Sequence, residues 1–135
     1  MAAEYTSKHG SVRKTKAELY MAFVDMRNFV QMLPEDKKEG VKADYDSIEA
    51  TVQGFTIGVR VARREPYSLI EFKDNNAPFA FSVIFHFDDG ISPAYTDFWI
   101  EVSAELNMMM KMMLGGKIKE GLDKIVDAMV CQATN

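Results

Sequence analysis

Residues 96–131 read TDFWIEVSAELNMMMKMMLGGKIKEGLDKIVDAMVC, and within this stretch the spacing of the apolar residues changes. Residues 96–106 alternate between apolar and polar side chains, which is typical of a β-strand with one buried face. Asn107 can cap a helix that begins at Met108 and continues to about Cys131, a rod of roughly 36 Å. The stretch therefore predicts a strand followed by a helix long enough to cover a whole sheet.

The two halves of this predicted helix differ in composition. Its second half carries an apolar stripe at helical spacing, formed by Ile118, Leu122, Ile125, Val126, Met129 and Val130. Five of the ten methionines of the chain fall in residues 108–113, and residues 108–114 are called the Met segment below. Methionine side chains are flexible, so the segment predicts either a core-facing stripe or a wall that adapts to different ligands.

The alternation of residues 96–106 also occurs earlier in the chain. The segments that precede it and that we expect to form strands are residues 5–12, 48–52, 55–62, 69–73 and 79–88. Short turns are predicted at residues 65–67, 74–76 and 89–90. Successive alternating strands joined by short turns predict an antiparallel meander with one covered face.

Two short helices are predicted after the first strand. Thr15 and Glu18 match a capping box, in which each side chain bonds the backbone of the other residue. Asp25 can cap a second helix, which Pro34 then helps to end. Residues 34–40 are charged and are predicted to form a loop.

Composition limits the class of protein. A chain of 135 residues with 47% hydrophobic and 27% charged residues is typical of one folded domain, here residues 1–135. The net charge of −4 argues against a nucleic-acid partner. We find no apolar run of the roughly 20 residues that span a bilayer and no secretory signal. Cys131 is the one cysteine, so we expect a cytoplasmic protein without a disulfide bond.

The predicted fold is α+β, a curved antiparallel sheet of about six to seven strands wrapped around a long C-terminal helix. This order of elements resembles the helix-grip fold of the START-related (SRPBCC) superfamily, which includes the birch-pollen allergen and the polyketide cyclases. The stretches that resemble that superfamily are DMRNF at 25–29, LP at 33–34, REP at 64–66 and the closing strand with the Met-rich helix. The resemblance implies a cavity between sheet and helix for sterols, lipids, quinones, hormones or polyketide intermediates.

On each predicted strand, alternate side chains point inward, and these inward-pointing side chains are almost all apolar. Together with the helix they predict a ligand-binding cavity with a Met-rich wall, lined by Phe55, Ile57, Val59, Phe81, Val83, Phe85, Phe98, Ile100, Met109, Met110, Met113, Leu114 and Ile118. Such a wall would bind through apolar area removed from water, and its selectivity would be broad.

The sequence offers little for catalysis. His9 and His86 lie on different strands without metal-ligand spacing, and Cys131 lies near the C-terminus. We therefore predict no catalytic residue, no metal and no cofactor. The leading hypothesis is a non-catalytic binding or transport protein for a small hydrophobic molecule. The alternatives are an enzyme of the polyketide aromatase/cyclase type and an interaction protein with a filled core.

Two further features carry predictions. Trp99, Tyr95, Ile84 and His86 share the outward parity of the last two strands and predict a contact surface for a homodimer. The pair Gly115–Gly116 lies inside the predicted C-terminal helix, where each glycine weakens the helix by about 1 kcal/mol relative to alanine. The pair is therefore predicted to be a soft point of the helix. Glycine is tolerated there either because the helix packs closely on the sheet or because it must bend, and a bend would let the Met segment act as a gate.

Overall fold

The computed structural model describes residues 2–32, 35–52, 55–75 and 79–134. Its elements, in chain order, are β1 (Ala2–Thr6), β2 (Gly10–Val12), α1 (Lys16–Phe23), α2 (Arg27–Met32), α3 (Glu35–Lys38), β3 (Val41–Ala43), β4 (Ser47–Val52), β5 (Phe55–Glu65), β6 (Leu69–Asp74), β7 (Phe81–Asp89), β8 (Thr96–Glu105) and α4 (Met108–Thr134).

The eight strands that these residues form belong to one curved antiparallel sheet. Its order is β1-β8-β7-β6-β5-β4-β3, and β2 pairs with β8 beyond the end of β1. One row of paired residues crosses five strands on the concave face, in the order Tyr5, Val102, Val83, Phe72 and Val61. The register of β5 shifts next to this row, between Val61 and Arg63. A shift of this kind bends a strand, and it helps the sheet to curve.

α4 lies in the concave side of the sheet and makes most of its contacts with β1, β2 and β8. The closest approach is at Gly10, where a Cβ atom would lie 2.5 Å from Val126 and 2.8 Å from Val130. Only glycine lets the helix come this near. Val126 is fully buried at this contact. This arrangement confirms the predicted α+β helix-grip fold.

Local signals at the helix starts are also confirmed. The Thr15 hydroxyl accepts from the Glu18 amide at 3.1 Å, and the Glu18 carboxylate accepts from the Thr15 amide at 3.0 Å. The Asn107 side chain accepts from the Met110 amide at 2.8 Å, so Asn107 caps α4. The Asp25 carboxylate accepts from the Arg27 amide at 2.9 Å as α2 begins. Pro34, which was predicted to help end that helix, lies outside the described residues.

The structure departs from the sequence predictions in three places. The predicted strand at 5–12 is interrupted and forms two strands, β1 and β2. The three residues 7–9 between them lie opposite only two residues of β8, Trp99 and Ile100, so one residue is in excess. At this extra residue the Ser7 hydroxyl accepts from the Ile100 amide at 2.8 Å in place of a backbone carbonyl. The predicted loop at 34–40 contains the helix α3, and β3 extends the sheet by a strand that was not predicted.

Candidate functional site: an apolar groove beside the C-terminal helix

An open groove lies between α4 and the part of the sheet that α4 leaves uncovered. Its volume is about 260 Å³. All of its lining side chains are apolar, and they are Met26, Ile48, Val59, Phe72, Val83, Phe85, Leu122 and Ile125. We call this site the apolar groove. An apolar ligand bound there would be removed from water. Because the lining is apolar, its binding would not deprive any polar protein atom of a hydrogen bond.

The floor of the apolar groove is made by alternate residues of three neighbouring strands. Val59 lies on β5, Phe72 on β6, and Val83 and Phe85 on β7, all on the concave face. The Phe72 and Phe85 rings meet edge to face, with their centroids 5.0 Å apart. Phe85 also packs edge to face on Phe23 of α1, at 5.2 Å. These ring contacts hold the floor in one arrangement.

Met26 is a buried residue of the lining and is held by backbone contacts. It follows α1, and its amide donates to the Tyr45 carbonyl at 3.2 Å. Arg64 of β5 supports the same region, because its guanidinium donates to the Val24 carbonyl at 2.8 and 3.1 Å. Arg64 donates further to the Tyr45 carbonyl at 3.1 Å and to the Asp46 carboxylate at 2.9 Å, and it lies 4.4 Å above the centre of the Tyr45 ring.

The opposite wall of the apolar groove is provided by α4. Leu122 is buried against the core, whereas Ile125 is 42% exposed. Because the two residues are three apart on one helix, they project from the same face. Ile125 therefore forms the outer lip of the apolar groove and Leu122 its inner side.

The strand residues predicted to line a cavity fall into three groups. Val59, Val83 and Phe85 line the apolar groove. Phe98 and Ile100 are completely buried in the core beside it, and Phe81 is half-buried next to Phe79. The side chains of Phe55 and Ile57 lie outside the described residues.

None of the helix residues that were predicted to form a Met-rich wall is among the residues that line the apolar groove. Met109 and Met113 are 71% and 65% exposed, and Met110, Leu114 and Ile118 are half-buried. The methionine that the apolar groove does contain is Met26. Phe72, Leu122 and Ile125 could have been found from parity and from the apolar stripe of α4, but no pattern in the sequence indicates Met26.

On the opposite face of the sheet, Trp99 lies between two histidines. The His86 ring stacks on the indole at 3.9 Å from β7, and the His9 ring stacks on it at 4.9 Å from the side of β1 and β2. The indole Nε1 donates to the Asp88 carboxylate at 2.8 Å. We call these three rings the Trp99 stack.

Carboxylates of β8 hold both imidazoles of the Trp99 stack. His9 Nδ1 lies 2.8 Å from Asp97, and His86 Nε2 lies 2.8 Å from Glu101. Each ring of the stack thus has a polar partner in its own chain. The stack is an internal cluster of the outer face, joining the β1–β2 connection to β8 and β7.

Among the described residues, no side chain with a shifted pKa lines the apolar groove. The backbone amide of Thr15 lowers the pKa of Glu18, and the guanidinium of Arg27 lowers the pKa of Asp25. Glu18 is exposed and Asp25 is half-buried, and both lie at the starts of helices. Such groups stabilise the helix starts, and none of them is placed to move a proton in the apolar groove.

Other possible sites are poorer candidates. A depression of about 460 Å³ lies between the start of α1 and residues 90–95, but its lining is mixed and includes the Lys16–Asp89 ion pair. Within the described ranges, no three His, Cys, Asp or Glu side chains converge as metal ligands would. None of the helices there is both long enough and apolar enough to cross a membrane.

No protein-family model matches the sequence, and no curated protein matches it. Solved structures do match over nearly the whole chain. A START superfamily protein from Mycobacterium smegmatis is 15% identical, with 97% of each chain covered and a TM-score of 0.65. Norcoclaurine synthase from Thalictrum flavum is 10% identical, with 100% of this chain and 88% of that chain covered and a TM-score of 0.72.

The Mll3558 protein from Rhizobium loti is also similar, with 12% identity, coverage of 97% and 96%, and a TM-score of 0.70. At such low identities the likeness establishes the fold. The chain therefore has the START-like helix-grip fold, and the resemblance predicted from its sequence is confirmed at that level.

Proposed function

We propose that the chain binds a small apolar molecule in the apolar groove and does not alter it chemically. The observation that carries the proposal is the lining, which combines a floor of packed aromatic rings with an open mouth and no ionisable side chain. The similar norcoclaurine synthase has been crystallised with dopamine and hydroxybenzaldehyde, two small aromatic molecules. That structure supports testing aromatic compounds first.

The size of the apolar groove sets the expected affinity. Ligand pockets commonly enclose roughly 300–1,000 Å³, so a groove of about 260 Å³ suits a molecule of one or two rings. Removing about 250 Å² of its apolar surface from water would contribute about 6 kcal/mol. Even before the entropy of association is subtracted, this corresponds to a Kd in the tens of micromolar range. A weak, broadly selective carrier is the expected behaviour.

The alternatives have less support. An aromatase or cyclase needs groups that transfer protons beside the reacting atoms, and the described lining offers carbon and sulfur atoms alone. An interaction protein with a filled core would have no reason to keep an open groove of this size. Both considerations favour binding over catalysis.

A titration with a matched pair of variants tests the proposal. Thermal shift and NMR titrations with 2-naphthol, a medium-chain fatty acid and a sterol would identify a ligand class. Val59→Trp fills the apolar groove and should lower the affinity for that ligand at least tenfold. Arg60→Trp changes the next, exposed residue of β5 and should not. The proposal is wrong if no compound binds the wild type, or if both variants bind equally well.

A further inference from the structure

Tyr5 carries a buried polar atom that the fold does not use. In the described part of the chain, its hydroxyl oxygen is the one buried side-chain nitrogen or oxygen atom without a hydrogen-bond partner. Buried hydroxyls in native proteins are normally paired, so this one needs an explanation. A phenylalanine would occupy the same space on β1 without leaving a polar atom unpaired.

α4 passes over this hydroxyl at Gly115. A Cβ atom there would lie 3.1 Å from the Tyr5 hydroxyl, whereas a Cβ atom at Gly116 would meet nothing within 4 Å. The helix is continuous through both glycines, each of which weakens it relative to alanine. The glycine at position 115 thus spares the buried hydroxyl a close contact with a Cβ atom.

Tyr5 lies near the apolar groove both across the sheet and along α4. Across the sheet, Tyr5 pairs with Val102 and Val102 pairs with Val83, so Tyr5 lies two strand spacings, about 10 Å, from the floor. Along α4, Gly115 and Leu122 lie on one face and are also about 10 Å apart. Half-buried Ile118 lies between them on that face.

We propose that the Tyr5 hydroxyl is the polar anchor for the ligand, an inference that rests on the proposed function. The ligand class is then an elongated apolar molecule with one terminal oxygen, such as a phenol, an alcohol or a carbonyl compound. Its apolar body lies in the apolar groove, and its oxygen extends beneath Ile118 to hydrogen-bond with Tyr5. A site built this way discriminates against an analogue that lacks the oxygen, because the hydroxyl is then left unpaired.

Two probes that differ in one atom test this assignment. The probes are 4-pentylphenol and pentylbenzene, and their affinities are compared by NMR titration. The wild type should bind the phenol about tenfold more tightly, as expected for one additional hydrogen bond. In Tyr5→Phe the two affinities should become equal, the affinity for pentylbenzene should stay unchanged, and the ligand-free protein should melt at the same or a higher temperature.

The two glycines supply a second pair of variants. Gly115→Ala crowds the hydroxyl and should reduce the preference for the phenol, whereas Gly116→Ala should leave it unchanged. A preference that persists in Tyr5→Phe, or a wild type that binds both probes equally well, would overturn the inference and leave the proposed function intact. If the wild type binds neither probe, both the inference and the binding of small apolar molecules in the apolar groove are wrong.

Discussion

Arg64 joins the segment after α1 to the sheet. Its guanidinium reaches the Val24 and Tyr45 carbonyls and the Asp46 carboxylate while lying over the Tyr45 ring, and the side chain is 21% exposed. A planar guanidinium spreads its N–H donors over three nitrogen atoms, whereas an ammonium group donates from one nitrogen and cannot reach all of these acceptors. Arg64 therefore holds the segment that carries Met26 against the apolar groove.

Replacing this arginine by lysine should be costly although the charge is kept. We expect Arg64→Lys to lower the free energy of unfolding by about 1–2 kcal/mol, because the bonds to two backbone carbonyls cannot all be remade. Urea denaturation measures the change. Arg60→Lys, at an exposed position of the same strand, should shift stability by less than about 0.5 kcal/mol. Equal effects of the two substitutions would contradict this role of Arg64.

Among the elements, α4 contains glycines whose replacement should strengthen it. A Cβ atom at Gly116 or at Gly121 would meet nothing within 4 Å, and both lie inside the helix. We expect Gly116→Ala and Gly121→Ala each to raise the free energy of unfolding by about 1 kcal/mol. Gly115→Ala should gain less, because its Cβ atom meets the Tyr5 hydroxyl.

Chemical denaturation of the three alanine variants tests this order. A destabilised Gly116→Ala would show that the position needs glycine for a reason other than space. The gating role predicted for Gly115–Gly116 stays a prediction, and slower ligand entry in the double alanine variant would support it.

The contact between α4 and the β1–β2 connection should stabilise the fold to a degree that depends on pH. The Asp123 carboxylate accepts from the Lys8 amide at 2.8 Å and from the Lys119 ammonium at 2.9 Å. These bonds, that of the Lys8 amide first, lower the pKa of Asp123 from its ordinary value of 3.8. Because the pKa is lower in the folded than in the unfolded protein, the contribution to stability is present above about pH 4 and is lost as the pH falls below it.

A neutral side chain at this position should remove that dependence. We expect Asp123→Asn to be less stable than the wild type at neutral pH, and the difference should shrink as the pH is lowered toward 3. Glu120→Gln, at an exposed ion pair with Lys124 on the same helix, is the control and should differ little from the wild type at either pH. A difference that is constant with pH would contradict the assignment. Thermal melts at a series of pH values give the comparison.

At the scale of the whole molecule, the spacing of apolar residues predicted the sheet and α4. A strand with one covered face buries every second side chain, whereas a helix buries every third or fourth. Residues 96–106 show this most clearly, since their alternation matches the buried and exposed positions of β8. The interruption of the first strand at residues 7–9 could not be predicted, because Ser7 replaces a backbone acceptor through its side chain. Neither could α3, since a charged segment of this length is equally typical of a loop.

The position of the candidate site was harder to predict than the fold. Parity identified Val59, Val83 and Phe85, but it could not reveal that α4 lies beside β1, β2 and β8 and leaves the floor of the apolar groove open. That placement depends on the close approach at Gly10, which brings together residues distant in sequence. For the same reason the Met segment was assigned to a wall, although Met109 and Met113 are mostly exposed.

The outer face of the sheet carries the remaining prediction, a homodimer formed near Trp99. Both faces of the indole are covered by His9 and His86, so a partner would contact the edges of the Trp99 stack together with Ile84 and Tyr95. We expect Trp99→Ala to weaken self-association, since removing the central ring also releases both imidazoles. Trp99 is the one tryptophan in the chain, so its fluorescence reports on this surface alone.

Sedimentation over a wide range of protein concentrations measures the effect of Trp99→Ala, and circular dichroism shows whether the variant keeps its fold. Met112→Gln changes a different exposed apolar surface, on the Met segment, where Met112 is 81% exposed. If the dimer uses the Trp99 stack, Met112→Gln should associate as the wild type does. The reverse result would assign the contact to α4, because methionines favour adaptable contacts. A wild type that stays monomeric at every concentration would show that the Trp99 stack serves only to join β7, β8 and the β1–β2 connection.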